Sequence, residues 1–342
     1  MSVCLSKWGA AVGVAGAALV VANTAGAANH TLRIQTHFSA ESTPGQIVAQ
    51  FIDDVQVMSG GRLDVQIHYS SEVVAQNETF GAAQQGILDC DMTGASGNVG
   101  KDVAFQFAGD IMGGYDTPYQ MIGWLEFGGG RELVQELYDR FDMHLVGWWL
   151  QGHESLSSTR PLAGPADLVD WKFRSPPGME TAIFAALGAK PVVMDFGEVP
   201  TALRTGIVDG ADASTLNTNQ SLGLFDTATY ATFPGFHSMP TEQLSCNKEA
   251  WDALSPDLQR IMEVALTRSA LSLAIQTEIR DNGVAVELAE QGVTLHDWSA
   301  DDRKRFREFA RDTWQVFAGD SELAQRMVAS HVAYMQGLGL IE

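Results

Sequence analysis

The sequence predicts an α/β protein built as two lobes. Two separate blocks of alternating strand and helix patterns, a long uninterrupted helical stretch after them, and the length of the chain carry this prediction. Alternating strand and helix segments fold as sheets flanked by helices. Single cores stop growing near roughly 250–300 residues, and this chain has 342.

The first residues read as an export leader. Lys7 supplies a basic start, residues 10–22 are almost entirely Ala, Val, Gly and Leu, and Ala25-Gly26-Ala27 forms a small-residue cleavage site. This three-part layout predicts a removable leader over 1–27, with an N-terminal membrane anchor as the alternative. The apolar run is short for a bilayer span. Cys4 lies far upstream of the cleavage site, so a lipid anchor is not expected and the mature chain is expected to be free and exported.

The first block then follows in order. Residues 32–37 alternate as a strand, 44–58 form a helix opened by Pro44 and stopped at Gly60-Gly61, and 62–69 form a second strand with Leu63, Val65 and Ile67 on one face. Residues 83–86 lead into a strand at 87–93. Two helices, 118–127 and 131–141, are split by Gly128-Gly129-Gly130, and the apolar strand 143–150 is placed to cross between lobes. The second block repeats the pattern: strand 171–175, helix 180–187, strand 190–195, helix 199–204, strand 208–214. From 256 to 291 no proline interrupts the helical pattern, which predicts one very long helix or two consecutive ones. Ser299-Ala300-Asp301-Asp302 resembles a capping box. A last helix over 321–338 carries Leu323, Met327, Tyr334 and Met335 on one face with His331 among them, and such an apolar face must be covered by its own chain or by a partner.

Composition narrows the function. Acidic residues outnumber basic ones 42 to 21, for a net charge of −21, which argues against nucleic acid or an anionic membrane as partner. An anionic ligand would then need a local cationic pocket. Cys90 and Cys246 remain after the leader; a disulfide and two buried thiols are both open readings, and no C-x-x-C spacing suggests a metal. There is no G-x-S-x-G elbow and no H-E-x-x-H helix, and Gly94, Gly97 and Gly100 are wrongly spaced for a dinucleotide cradle. Arg174 ends a strand before Ser175-Pro176-Pro177. Its planar fork suits two charge-assisted hydrogen bonds to a carboxylate, although an interlobe salt bridge fits these residues equally well.

The stretch Lys172-Phe173-Arg174-Ser175-Pro176, then Ala186-Leu187-Gly188-Ala189-Lys190-Pro191, then Gly197-Glu198 through Ala202-Leu203, Gly206 and Asp209-Gly210, with Asn247-Lys248 and Trp251 near the end, resembles the solute receptors of tripartite ATP-independent periplasmic (TRAP) transporters. Val99-Gly100-Lys101-Asp102 with Phe105, Gly128-Gly129-Gly130 with Glu132-Leu133, and Leu222-Gly223 leading to Pro234-Gly235 are most similar to the 2-oxo acid branch of that family.

The resemblance implies a two-lobed periplasmic solute-binding fold with a hinge-spanning long helix and an extra C-terminal helix. Lobe I would comprise 28–150 and about 236–275, lobe II 151–235 and about 276–320, and 321–342 a dimerisation element. It implies a non-enzymatic receptor in the periplasm that captures a small monocarboxylate, a 2-oxo acid or related acid, with calcium or sodium bridging the ligand, and hands it to membrane subunits. Arg174 would be the carboxylate anchor.

In that branch a glutamine, a Glu-Trp pair and a further glutamate hold the cation; here the matching positions carry Glu154, Asp212, Ala213 and about Ser238, with His237 and Glu242 the nearest stronger ligands. Glu154, Asp212, Ala213 and His237 are therefore the expected cation site. Two converging carboxylates need a cation or an ammonium-bearing ligand between them. Trp149 and Phe236, with Phe38 and Trp148, are candidates to line the remaining space, with core packing as the default reading of each, and Asn98 and Tyr115 are candidates to add hydrogen bonds from the first lobe. Two rival functions are a periplasmic metal-assisted hydrolase or lyase using Glu154 and Asp212, and a sensory receptor of the same fold.

Overall fold

The computed structural model describes residues 29–176, 178–194 and 196–342. The expected leader, and the Asp195 end of the strand predicted over 190–195, lie outside the described residues. Strand β1 (His30–Thr36) buries Leu32 and Ile34 and pairs in parallel with β2 (Leu63–His68) and β3 (Cys90–Gly94). Between β1 and β2 runs α1 (Thr43–Met58), whose first turn is capped by the Ser42 hydroxyl accepting from Gly45 N; an N-cap of this kind satisfies one of the orphan donors of the turn. Helix α2 (Thr79–Gln84) precedes β3, and α3 (Ala104–Gly109), α4 (Pro118–Phe127) and α5 (Gly130–Asp139) follow it.

Strand β4 (Met143–Leu150) remains wholly in this first sheet; the crossing to the second lobe is made by residues 151–154 after it. The second lobe is built from β5 (Ser155–Ser158), β6 (Lys172–Ser175), α6 (Met179–Ala186), β7 (Lys190–Val193), α7 (Val199–Arg204), β8 (Gly210–Ser214), α8 (Leu216–Ser221) and β9 (Tyr230–Thr232). The chain returns to the first sheet as β10 (Thr241–Asn247), antiparallel to both β3 and β4, and continues through α9 (Lys248–Asp252).

Then α10 (Pro256–Glu290) runs for 35 residues without a break, so the single long helix is the one that forms. Its first half packs Leu258, Met262, Leu266 and Leu273 into the core of the first lobe. Its second half packs Ala285 and Leu288 against Leu216 and Ala231 of the second. It therefore spans the hinge. Strand β11 (Thr294–His296) completes the second sheet, whose order is β11-β9-β5-β8-β6-β7, against β2-β1-β3-β10-β4 in the first.

Two connectors between the lobes, 151–154 and 233–240, touch each other at the hinge. Glu154 N donates to Ser238 O at 3.0 Å. A Cβ placed on Gly235 would lie 2.0 Å from Glu154 O, so only glycine lets the two connectors approach this closely.

Helix α11 (Ala300–Ala318) is capped as expected, with Ser299 Oγ accepting from Asp302 N at 3.1 Å. The final helix α12 (Glu322–Gly337) turns Leu323, Met327, Val328, His331 and Met335 inward. His331 is held between the Tyr115 hydroxyl at 2.9 Å and Phe107 O at 3.0 Å, and stacks on Trp124. The apolar face of this helix is thus covered by its own chain.

Cys90 and Cys246 stand opposite each other on β3 and β10 and form a disulfide, which decides between the two readings of the sequence. It closes a separation of 156 residues; a cross-link of this kind constrains the unfolded chain, and its loss typically costs about 2–5 kcal/mol. The melting temperature should therefore fall clearly on addition of reductant, and fall equally in a Cys90→Ser, Cys246→Ser double variant without it. An unchanged midpoint in both would show that the bridge contributes nothing.

Candidate functional site

A cavity of about 590 Å³ lies between the two sheets and takes its walls from both lobes. Cavities that hold small ligands fall in this range. Arg174 reaches it from β6, the strand between β7 and β8, and its side chain is buried. From that central position Nη1 donates to Asp212 O at 2.7 Å and Nε to Met194 O at 3.3 Å, so β8 and the residue just after β7 orient the guanidinium. Lys172, two residues earlier, is exposed and does not line the cavity.

The second-lobe sheet, the helix after β6 and the hinge bring carboxyl groups to the same place. Asp212 is the middle residue of β8, Glu154 ends the first connector, and Glu180 sits in the first turn of α6. Asp212 Oδ1 accepts from His237 Nε2 at 2.9 Å. One ligand atom each of Glu154, Asp212 and His237 lies within 4.8 Å of the others. Asp110, from the first lobe, accepts from Ser238 Oγ at 2.8 Å. Glu180 is 2% exposed, and neither of its carboxyl oxygens has a hydrogen-bond partner among the described residues.

Burial and the nearby Asp212 push the Glu154 and Glu180 carboxyls well above the ordinary range. Burial also raises Asp212, but His237 and Arg174 outweigh it and hold that carboxyl below its usual value. In chemical terms one ionised carboxylate, Asp212, is surrounded by groups that stay protonated until a positive charge arrives. Burial pushes Asp110 up to about 7.

The structure brings together Arg174, Glu154, Asp212, Ala213 and Asn98 of the expected site residues, all at the cavity wall. His237 is fully buried behind Asp212, where it orients that carboxylate and does not itself face the cavity. Ala213 can offer a cation only its backbone carbonyl.

Trp149 and Phe236 do not line the cavity, which corrects the expectation from sequence. Trp149 is fully buried on the α10 side of the first sheet, edge-on to Phe38, and Phe236 stacks on Trp298 at 3.9 Å. Both faces of the first sheet are covered, so the alternating Trp148 and Trp149 each enter a core; Trp148 lies under Arg131. Tyr115 is likewise turned away, to His331. Glu180 escaped notice because an acid in the first turn of a helix is ordinary helix-dipole chemistry. Nothing local in the sequence marks it as facing Asp212.

Two lobes joined by a spanning helix, with an arginine and unsatisfied carboxyls in the cleft, are the frame of a binding protein. The sequence profile of the bacterial extracellular solute-binding proteins, family 7 (DctP), matches residues 34–320. The chain belongs to this family. It is accordingly a periplasmic transport receptor of the TRAP type and not an enzyme.

A TRAP periplasmic solute-binding protein from Rhodobacter sphaeroides, solved in an apo, open form, is 35% identical and superposes with a TM-score of 0.82 over 91% of this chain and 99% of that one. The TRAP solute-binding protein of Bordetella bronchiseptica RB50, solved as a mixed-occupancy dimer with copurified calcium and picolinate in one active site, is similar in fold, with a TM-score of 0.79 at 19% identity over 91% of this chain and 93% of that one. The monocarboxylate 2-oxoacid-binding periplasmic protein of Nostoc sp. is 25% identical over 272 residues, 76% of this chain and 72% of that protein.

The buried carboxyls give the ligand-free protein a defined pH dependence. Asp91 and Asp110 are pushed up to about 7 and Glu242 to about 8, in each case by burial first. Half-buried His37, His144 and His153 are pushed down to about 4, and buried His331 to about 3, by desolvation first. Between pH of about 4 and 6.5 these two sets oppose each other, because the unfolded histidines bind the extra protons and the folded carboxyls do. Above about 6.5 only the carboxyl effect remains: the folded state holds more protons than the unfolded one, so stability falls as pH rises. The melting temperature of the ligand-free protein should drop between pH of about 7 and 8.5; a flat or rising profile contradicts the burial of these carboxyls.

Proposed function

We propose that this receptor captures a small organic monocarboxylate, a 2-oxo acid or a close relative, with its carboxylate on Arg174 and a cation beside it at Glu154 and Asp212. The observation that carries this reading is the juxtaposition of one guanidinium with carboxyl groups that lack a counter-charge. The fork of Arg174 matches a carboxylate, while Asp212, Glu154 and the partnerless oxygens of Glu180 form a set of hard oxygen donors. Calcium takes six to eight such oxygens, and sodium is served by the same chemistry. The residues present therefore fit a cation. Glu154, Asp212 and Glu180 would hold it, with the carbonyl of Ala213 available, and His237 would fix the orientation of Asp212. Bound there, the cation supplies the positive charge that lets these carboxyls ionise and attracts the oxygens of an acid gripped by Arg174. Calcium with picolinate in the Bordetella protein, and the 2-oxo acid specificity named for the Nostoc protein, support this reading.

Capture would close the lobes about the connectors and α10, with binding energy stabilising the closed form. TRAP membrane subunits are the partners that would recognise that form. A second copy of the chain, if it pairs, would have to use a surface other than the apolar face of α12, since Leu323 and Met327 are already engaged within the chain. Phe309 and Val316 on α11 are exposed and offer one such surface.

A thermal-shift screen of 2-oxo, hydroxy, aromatic and amino acids, with calcium or with chelator, identifies the ligand class. Arg174→Ala should weaken binding by about 2–5 kcal/mol, which is the cost of truncating one partner of a buried charge pair. Arg174→Lys, which keeps the charge and loses the fork, should recover only part of it. Undiminished binding in both variants removes the clamp. Chelator and Glu154→Gln should each weaken the same acid; indifference to both points to a metal-free site.

A further inference from the structure

The first-lobe wall of the cavity carries a polar pair that stands apart from the acidic cluster. Glu242 on β10 lies opposite Gly94 on β3. Because Gly94 has no side chain, the Glu242 carboxyl extends over it; a Cβ added at Gly94 would stand 3.4 Å from Oε2. Glu242 is 8% exposed, lines the cavity, and its Oε2 has no hydrogen-bond partner among the described residues. Oε1 lies 3.7 Å from His37 Nε2, beyond hydrogen-bonding distance. His37 Nδ1 is likewise without a partner. Its ring leans on Phe38, which in turn packs against Trp149, so the histidine is held at the end of β1 by the core beneath it.

A buried polar group left unsatisfied costs free energy, and native structures rarely keep one. Here two such atoms, Glu242 Oε2 and His37 Nδ1, belong to adjacent side chains that both line the ligand cavity. Burial holds Glu242 largely protonated at neutral pH and His37 neutral, so the pair can exchange hydrogen bonds with an uncharged group. A hydroxyl both donates and accepts and meets this demand. We infer that His37 and Glu242 form a second recognition subsite, on the wall formed by the first lobe, that selects acids bearing a hydroxyl at the end remote from the carboxylate. The inference rests on the proposed anchoring of the acid end by Arg174 and assigns the far end of the same ligand.

The test compares matched pairs by calorimetry in the presence of calcium: 2-oxobutyrate with γ-hydroxy-2-oxobutyrate, and 2-oxovalerate with δ-hydroxy-2-oxovalerate. The hydroxylated member of at least one pair should bind the native protein about tenfold more tightly, the effect of a hydrogen bond made to a buried group. Glu242→Met should abolish this preference, so that the plain and hydroxylated acids of a pair bind equally. Gly94→Ala provides a second variant: its backbone, at φ −73° and ψ 131°, accepts alanine, and the added methyl covers Oε2. It should reduce the preference in the same way. Plain and hydroxylated acids binding equally, or a preference that survives both substitutions, overturns the subsite alone. Failure of all four acids to bind overturns the carboxylate reading and the subsite together.

Discussion

Five carboxyl groups, Asp110, Glu154, Glu180, Asp212 and Glu242, face one cavity beside a single guanidinium, that of Arg174, among the described residues. Taking ions out of water costs several kcal/mol each unless they are paired, and the protein meets this constraint in two ways. It keeps most of these carboxyls protonated by burial. It stabilises one, Asp212, as an ion by setting His237 and Arg174 against it. The residual demand is for positive charge, which is what the proposed cation and acid would meet together. The site is therefore poised, not relaxed.

The scaffold explains how such a cluster is assembled. Arg174 and Asp212 come from neighbouring parallel strands, so the backbone of one orients the side chain of the other. Glu154 and His237 come from the two connectors, whose close contact at Gly235 fixes them at the hinge. Asp110 comes from the opposite lobe and is tied to the hinge through Ser238. A hinge motion that changes the angle between the lobes would therefore change the spacing of these charges. Behind the cleft, Phe306 of α11 packs against Phe184 and Phe236, and Trp314 bonds to Met112 O, so the C-terminal helices belong to the body of the receptor.

Much of this was legible in the sequence, and the limits have physical causes. The order of strands and helices, the long α10, the cap at Ser299 and the arginine of the cleft, Arg174, are local signals: periodicity, a side chain three residues from a backbone donor, a cationic fork at a strand end. Asp212 and Glu154 were found through resemblance to a family pattern. Trp149 and Phe236 were misplaced because large aromatics fit a cleft and a core equally well, and only the covering of both sheet faces decides between them. Glu180 and His37 could not be singled out, and Glu242 was named only as a nearby cation ligand, because what distinguishes all three is the absence of a partner. That is a property of the assembled cavity and leaves no trace in spacing.

Cooperation between the cation and the acid is the consequence on which this reading depends most. Linkage requires that if calcium tightens the acid, the acid tightens calcium by the same factor. Calorimetric titration of calcium into the protein, with and without saturating pyruvate, and of pyruvate with and without saturating calcium, measures both factors. Equal factors well above one are expected, and both should vanish in Arg174→Ala. Two ligands binding independently, with each affinity unchanged by the other, would contradict a shared site at Arg174, Glu154 and Asp212.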